Sequence, residues 1–191
     1  MLITMMTITY LVTSISGAQI TCWLLDKKSP KNRGSKNLGA TNMFRVNGIK
    51  AAFLTLLFDV LKMLVPLFLS QVLAMQSSSQ MVLCVTGVVG HMFPIFHEFK
   101  GGKGVATAFS CMCFMAPLVA VIAFFYWVFA FIVTRTSSVA SLLTAFSTLL
   151  WLYVSRYPND VVLGFTVVVL LVSLAHISNI KRLYMGSEQT L

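Results

Sequence analysis

The chain has 191 residues, 58% of them hydrophobic and only 10% charged, with a mean hydropathy of +0.87. So little charge excludes a soluble domain of this length, whose surface would have to be covered by polar groups. Apolar runs of roughly 15 to 25 residues recur from end to end and predict one all-α, polytopic membrane domain over 1–191. The net charge of +9 is concentrated in 26–50, which holds Lys27, Lys28, Lys31, Arg33, Lys36, Arg45 and Lys50. Beside a membrane span, such a loop reads as cytoplasmic and close to anionic lipid. With no soluble fold to present to bases, nucleic acid is not an expected partner.

The first span is expected over 4–25. It lacks a positive n-region, and its charges follow at Lys27 and Lys28, so it reads as an uncleaved span with its N-terminus outside. Ser16-Gly17-Ala18 keeps a cleaved signal as the rival reading. Further spans are expected over 51–73 and 81–96, separated by the polar turn 76–80. The apolar run 105–133 has 29 residues, with Pro117 near its middle. At about 1.5 Å per residue it is long for one crossing of a ~30 Å core and short for two ordinary ones. Loop charge decides. Two short helices put twelve of the fourteen Lys and Arg on the inner side, whereas one helix leaves ten there. The positive-inside bias therefore favours seven short transmembrane helices, N-terminus outside and C-terminus cytoplasmic. The last two spans are expected over 138–154 and 161–176. Cys22, Cys84, Cys111 and Cys113 all lie in apolar runs without metal-ligand spacing and read as packing residues.

Four polar stretches share the inner face in this topology. The most informative is Phe99-Lys100-Gly101-Gly102-Lys103-Gly104-Val105-Ala106-Thr107. Its glycines free the backbone to approach a ligand, and the helix beginning near Gly104 adds unpaired N–H groups. With Lys100 and Lys103 these make either a phosphate cradle or a flexible basic loop at the membrane surface. It is not a Walker A loop, because the glycine and lysine order differs and no strand precedes it. The stretch 34–42, followed by Arg45, offers hydroxyls, asparagines and a guanidinium suited to phosphate; its rival reading is a helix cap and turn. The other two stretches are 134–138, which ends at Ser138, and 176–182. His176 and Asn179 are spaced i, i+3 on one helix face, either in a polar pocket or at the interface. Asp59 and Lys62, also i, i+3, lie well inside a span, as a structural ion pair or as part of a proton or substrate pathway. The stripe Ser138, Ser141, Ala145 and Thr148 suggests close helix packing.

These motifs, Gly34-Ser35-x-Asn37-x-Gly39-Ala40-Thr41-Asn42, Gly90-His91-x-Phe93-Pro94, the 99–107 loop and His176-x-x-Asn179-Ile180-Lys181-Arg182-Leu183, run in order along nearly the whole chain. The sequence resembles the bacterial acyl-phosphate:glycerol-3-phosphate acyltransferases. The resemblance implies a bacterial inner-membrane enzyme with its active site on the cytoplasmic side. It would transfer a fatty acyl group from acyl phosphate to the 1-hydroxyl of glycerol 3-phosphate, giving lysophosphatidic acid and phosphate for phospholipid synthesis. Acyl phosphate, glycerol 3-phosphate and membrane lipids are the implied partners, with no cofactor, metal or acyl-CoA. Carried over by position, Ser35, His176 and Asn179 are expected to be catalytic. Asn37, Arg45, Lys100, Gly101, Gly102, Lys103 and Ser138 are expected to bind substrate. The chain departs from the family pattern at Lys36 and Met63, where glycine is usual, and at Ile177 and Ser178, which replace charged residues. A transporter of a phosphorylated metabolite is the rival class, since it too would set cations and broken helices around an anion. No inverted repeat is apparent. A small non-catalytic assembly factor fits the dense phosphate-type motifs less well.

Overall fold

A computed structural model describes residues 1–190, leaving Leu191 of the expected 1–191 domain outside. Among the described residues there are ten α-helices and no strand. Four of the helices are long and apolar enough to cross a membrane, and as many as six spans arise if each of two bent pairs counts as one. Apolar side chains such as Phe53, Val72, Phe125 and Leu163 stay exposed along them, as expected of helices solvated by lipid.

The first expected span is a broken pair, α1 (Leu2–Thr13) and α2 (Gly17–Leu24), bent by 43°. Ser16 causes the break. It is extended (φ −85°, ψ 115°) and its hydroxyl accepts the Gln19 N–H at 3.4 Å, capping α2. The basic loop then runs into the short helix α3 (Ala40–Asn47). Gly48, at φ 82°, turns the chain into the 24-residue α4 (Ile49–Val72). Helix α5 covers Ser77–Met92, so most of the expected polar turn forms its first turn.

The 105–133 run is two helices, α6 (Val105–Met115) and α7 (Pro117–Thr134). Pro117 occupies the first position of α7, where its missing N–H costs nothing and its ring forbids continuation of α6. At 11 residues α6 is roughly 16 Å long, about half a hydrocarbon core. Helices α8 (Ser137–Val154) and α9 (Asn159–Ala175) follow, and α10 (Ile177–Tyr184) leaves α9 at 52°.

Close helix approach fixes the frame around the site. A Cβ added at Gly90 of α5 would come within 2.8 Å of the Tyr10 carbonyl oxygen, and one at Gly87 within 2.9 Å of Met63 Cε. Small residues thus seat α5 against α1 and α4. The contact is pinned by Tyr10 Oη, which donates to the Phe93 carbonyl at 2.8 Å.

Candidate functional site

One cavity of about 350 Å³ opens among the ends of the helices where all four polar stretches lie. Its mouth is lined by Ser35, Asn37, Arg45, Lys103, Ser138, His176, Asn179 and Glu188. Further along the helices its walls are mostly apolar, with Phe109, Met112, Phe124, Trp127, Phe165 and Val168 beside the hydroxyls of Ser141, Thr144 and Thr148. A polar, cationic mouth above an apolar shaft fits a ligand with an anionic head and a hydrocarbon tail.

Each mouth residue has a local cause. Asn42, fully buried, ties the preceding loop: its amide donates to the Asn37 carbonyl at 2.9 Å and the Arg33 carbonyl at 3.0 Å. Its Oδ1 accepts the Ser35 N–H at 2.9 Å, so Ser35 hangs from a braced turn. Thr41 Oγ1 meets Ser137 Oγ at 3.0 Å and ties α3 to α8. His176 is buried, and its Nδ1 donates to the Val172 carbonyl at 2.8 Å, which leaves Nε2 as the acceptor of the ring. Lys103 Nζ donates to Asn179 Oδ1 and so joins the glycine loop to α10.

The electrostatics follow from burial. Desolvation holds Lys103 down at about 8, with Glu188 pulling it up and Arg182 and Arg45 pushing it further down. Burial likewise lowers Arg45, Glu188 opposing. Lys103 is therefore charged at neutral pH, and an arriving phosphate would favour that charged form further.

Three expected binders lie elsewhere. Lys100 is exposed, beside the exposed Glu98 at 3.9 Å, and does not line the cavity. The Gly101 and Gly102 amides are already spent: they donate to the Met92 and His91 carbonyls at 3.1 and 3.2 Å, closing the C-terminus of α5. The free N–H groups near the mouth are those of the first turn of α6. Gly104 caps it at φ 81°, and Gly104, Val105 and Ala106 line the cavity.

Glu188 was not among the expected site residues. Its Oε1 accepts Ser138 Oγ at 2.9 Å and Asn179 Nδ2 at 2.5 Å, and its Oε2 accepts Arg182 Nε at 2.7 Å. Burial pushes its carboxyl up, but those hydrogen bonds and the Arg182 charge hold it below the ordinary carboxylate value. Arg45 adds a 2.9 Å bond to the Gln189 carbonyl, so the tail lies across the mouth.

Lys36 explains its own irregularity. It sits at φ 59°, in the left-handed region that suits glycine and costs other residues roughly 1–2 kcal/mol. Lys36→Gly is expected to raise the melting temperature of the detergent-solubilised protein by a few degrees without loss of activity. A lower melting temperature would mean that the lysine side chain makes a compensating contact.

Known proteins resemble this chain along nearly its whole length. A family model described as glycerol-3-phosphate acyltransferase matches residues 3–186. The chain is 39% identical over 180 residues to a glycerol-3-phosphate acyltransferase of Shewanella woodyi, covering 94% of this chain and 88% of that one. It is 38% identical over 181 residues to the one of Shewanella loihica, covering 94% and 87%. Among solved structures it is similar to PlsY (YgiH), an integral membrane glycerol 3-phosphate acyltransferase. Against the glycerol 3-phosphate form the TM-score is 0.93 at 34% identity, covering 100% of this chain and 95% of that one. Against the lysophosphatidic acid form the TM-score is 0.91, with the same identity and coverage.

Proposed function

The chain belongs to the glycerol-3-phosphate acyltransferase family, and from that premise we propose how its cavity carries out the transfer. The enzyme is a multi-pass membrane protein that acylates glycerol 3-phosphate to lysophosphatidic acid. We infer that the donor is acyl phosphate, that the acceptor is the 1-hydroxyl, and that the whole chain works as one catalytic domain. The reading that fits the loop charge is seven crossings, α6 and α7 taken as two, with the mouth on the cytoplasmic side of a bacterial inner membrane.

In this reading Lys103, Ser35, Ser138 and the first turn of α6 take the phosphate of the donor, whose fatty chain runs down the apolar shaft. Arg45 and Asn37 hold glycerol 3-phosphate, and His176 and Asn179 orient a phosphate or the attacking hydroxyl. Lys100, Gly101 and Gly102 contribute through the shape of their loop rather than by direct contact. The hydroxyl oxygen attacks the acyl carbonyl carbon and the C–O bond to phosphate breaks. The departing phosphate carries off the hydroxyl proton. An acyl phosphate is already activated, so the protein's work is to place two anions together and stabilise the leaving charge. Glu98 is exposed and does not line the cavity, so it is not placed to serve as a base.

The observation that carries this reading is the junction of a cationic mouth with an apolar shaft in a single cavity. Purified protein given acyl phosphate and labelled glycerol 3-phosphate is expected to release phosphate and labelled lysophosphatidic acid one for one. Labelled glycerol 3-phosphate entering protein-containing vesicles, with no acylated product, would replace the enzyme by a transporter.

A further inference from the structure

The mechanism leaves one buried polar cluster unused. Lys62 and Asp59 of α4 and His91 of α5 sit together with side chains 9%, 3% and 7% exposed. Lys62 Nζ has three protons and three partners: Asp59 Oδ1 at 2.9 Å, the Ile15 carbonyl at 2.9 Å and His91 Nδ1 at 2.8 Å. Asp59 Oδ1 also accepts the Gly17 N–H at 3.3 Å. The α1–α2 break is therefore what supplies a free carbonyl and a free N–H to the pair. Such a cluster is costly among apolar helices, where an ion pair that only stabilised the fold is replaceable by apolar packing.

Its geometry leads towards the mouth. Because the ammonium donates to Nδ1, the ring proton of His91 is on Nε2. A Cβ on Gly102 would overlap that same Nε2 edge, so the ring lies flush against the glycine backbone. The His91 carbonyl accepts the Gly102 N–H at 3.2 Å. Ring and carbonyl of one residue thus hold Gly102, and the next residue is Lys103. The expected i, i+3 pair is consequently a triad that extends to the phosphate loop.

We propose that Lys62 is a positioning residue for acyl transfer: through the His91 ring it fixes Gly102 and so aims Lys103 into the cavity mouth. The proposal rests on acyl transfer at that mouth. It adds that the buried pair acts on one named lysine rather than on the fold at large. Absence of a glycine Cβ at 102 is then required by the ring, not by a phosphate.

The test is kinetic, in detergent-solubilised full-length enzyme. Loss of acylation by the wild-type enzyme would count against the function and not reach this question. In active enzyme, Asp59→Asn/Lys62→Gln keeps the cluster neutral while moving its donors, and Gly102→Ala disturbs the other end. Each is expected to raise, by fivefold or more, the KM of whichever phosphate substrate Lys103→Ala affects, leaving the other KM within twofold. Combining them is expected to do no more harm than the worse of the two, because both act on one link. If the paired variant is not recovered folded, Lys62→Arg, which keeps the buried charges, is read the same way. Folded variants with both KM values unchanged, with both raised alike, or with effects that multiply on combination would overturn the proposal.

Discussion

Lys103→Ala is expected to lower kcat/KM for acyl transfer by about 10²–10³-fold, the usual cost of removing one preorganised group that stabilises developing charge. Lys103 lines the cavity mouth and joins the glycine loop to Asn179 of α10. Its loss removes a cation from the mouth and leaves the Asn179 Oδ1 without its partner. Lys103→Arg keeps the charge but exchanges a compact ammonium for a planar fork, so it should recover part of the rate and not all. A steady-state titration of both substrates checks this. Activity within threefold of wild type in the alanine variant would remove Lys103 from the site.

The same residue gives the reaction an alkaline limit. Burial holds Lys103 at about 8, so in the free enzyme it is charged below that pH and neutral above it. A cation that receives phosphate must be charged, so kcat/KM should fall as pH rises past about 8. Bound phosphate favours the charged form, so the limb in kcat should lie at higher pH than the limb in kcat/KM. In Lys103→Arg the limb should vanish, since a guanidinium stays charged throughout.

Much of the frame was legible in the sequence because membrane helices announce themselves by apolar runs and are ended by glycine, proline and charge. Pro117 divides 105–133 as its chemistry requires, and α8 begins at Ser137, one residue before the expected 138. Four of the polar connections converge on one cavity, as their shared side of the bundle suggested. Other features depend on atoms distant in sequence. The amides of Gly101 and Gly102 look free until α5 is seen to end on Met92 with carbonyls that claim them. Lys100 and Lys103 look equivalent until the loop turns one outward to Glu98 and the other inward to Asn179. The Lys62–His91 bond spans 29 positions and two helices, and the Ile15 carbonyl is free only because Ser16 breaks the first span. Glu188 was not among the expected residues because nothing in the sequence reports the turn at Gly186 (φ 66°) after α10, beyond which the tail meets Ser138, Asn179 and Arg45.

Glu188 carries the second large effect: Glu188→Ala is expected to cost at least tenfold in kcat/KM and to lower the melting temperature. One carboxylate joins Ser138 of α8 to Asn179 and Arg182 of α10, with Oε1 serving the first two and Oε2 the guanidinium. Two of those three are proposed substrate contacts, and without Glu188 they lose the acceptor that fixes their direction. Glu188→Gln keeps an acceptor oxygen but not the charge opposite Arg182, so it should fall between alanine and wild type. The pH dependence has a definite sign. A carboxyl held below its ordinary value contributes stability that is present above the unfolded carboxylate range and is lost as pH falls through the lower folded value. The brace is therefore intact at neutral pH and fails only in acid, well away from the alkaline limb set by Lys103. The opposite result is equally definite. A carboxylate among Ser138, Asn179 and Arg182 occupies donors that a phosphate could use, so a rise in activity on Glu188→Ala would make the tail a competitor of substrate rather than a brace.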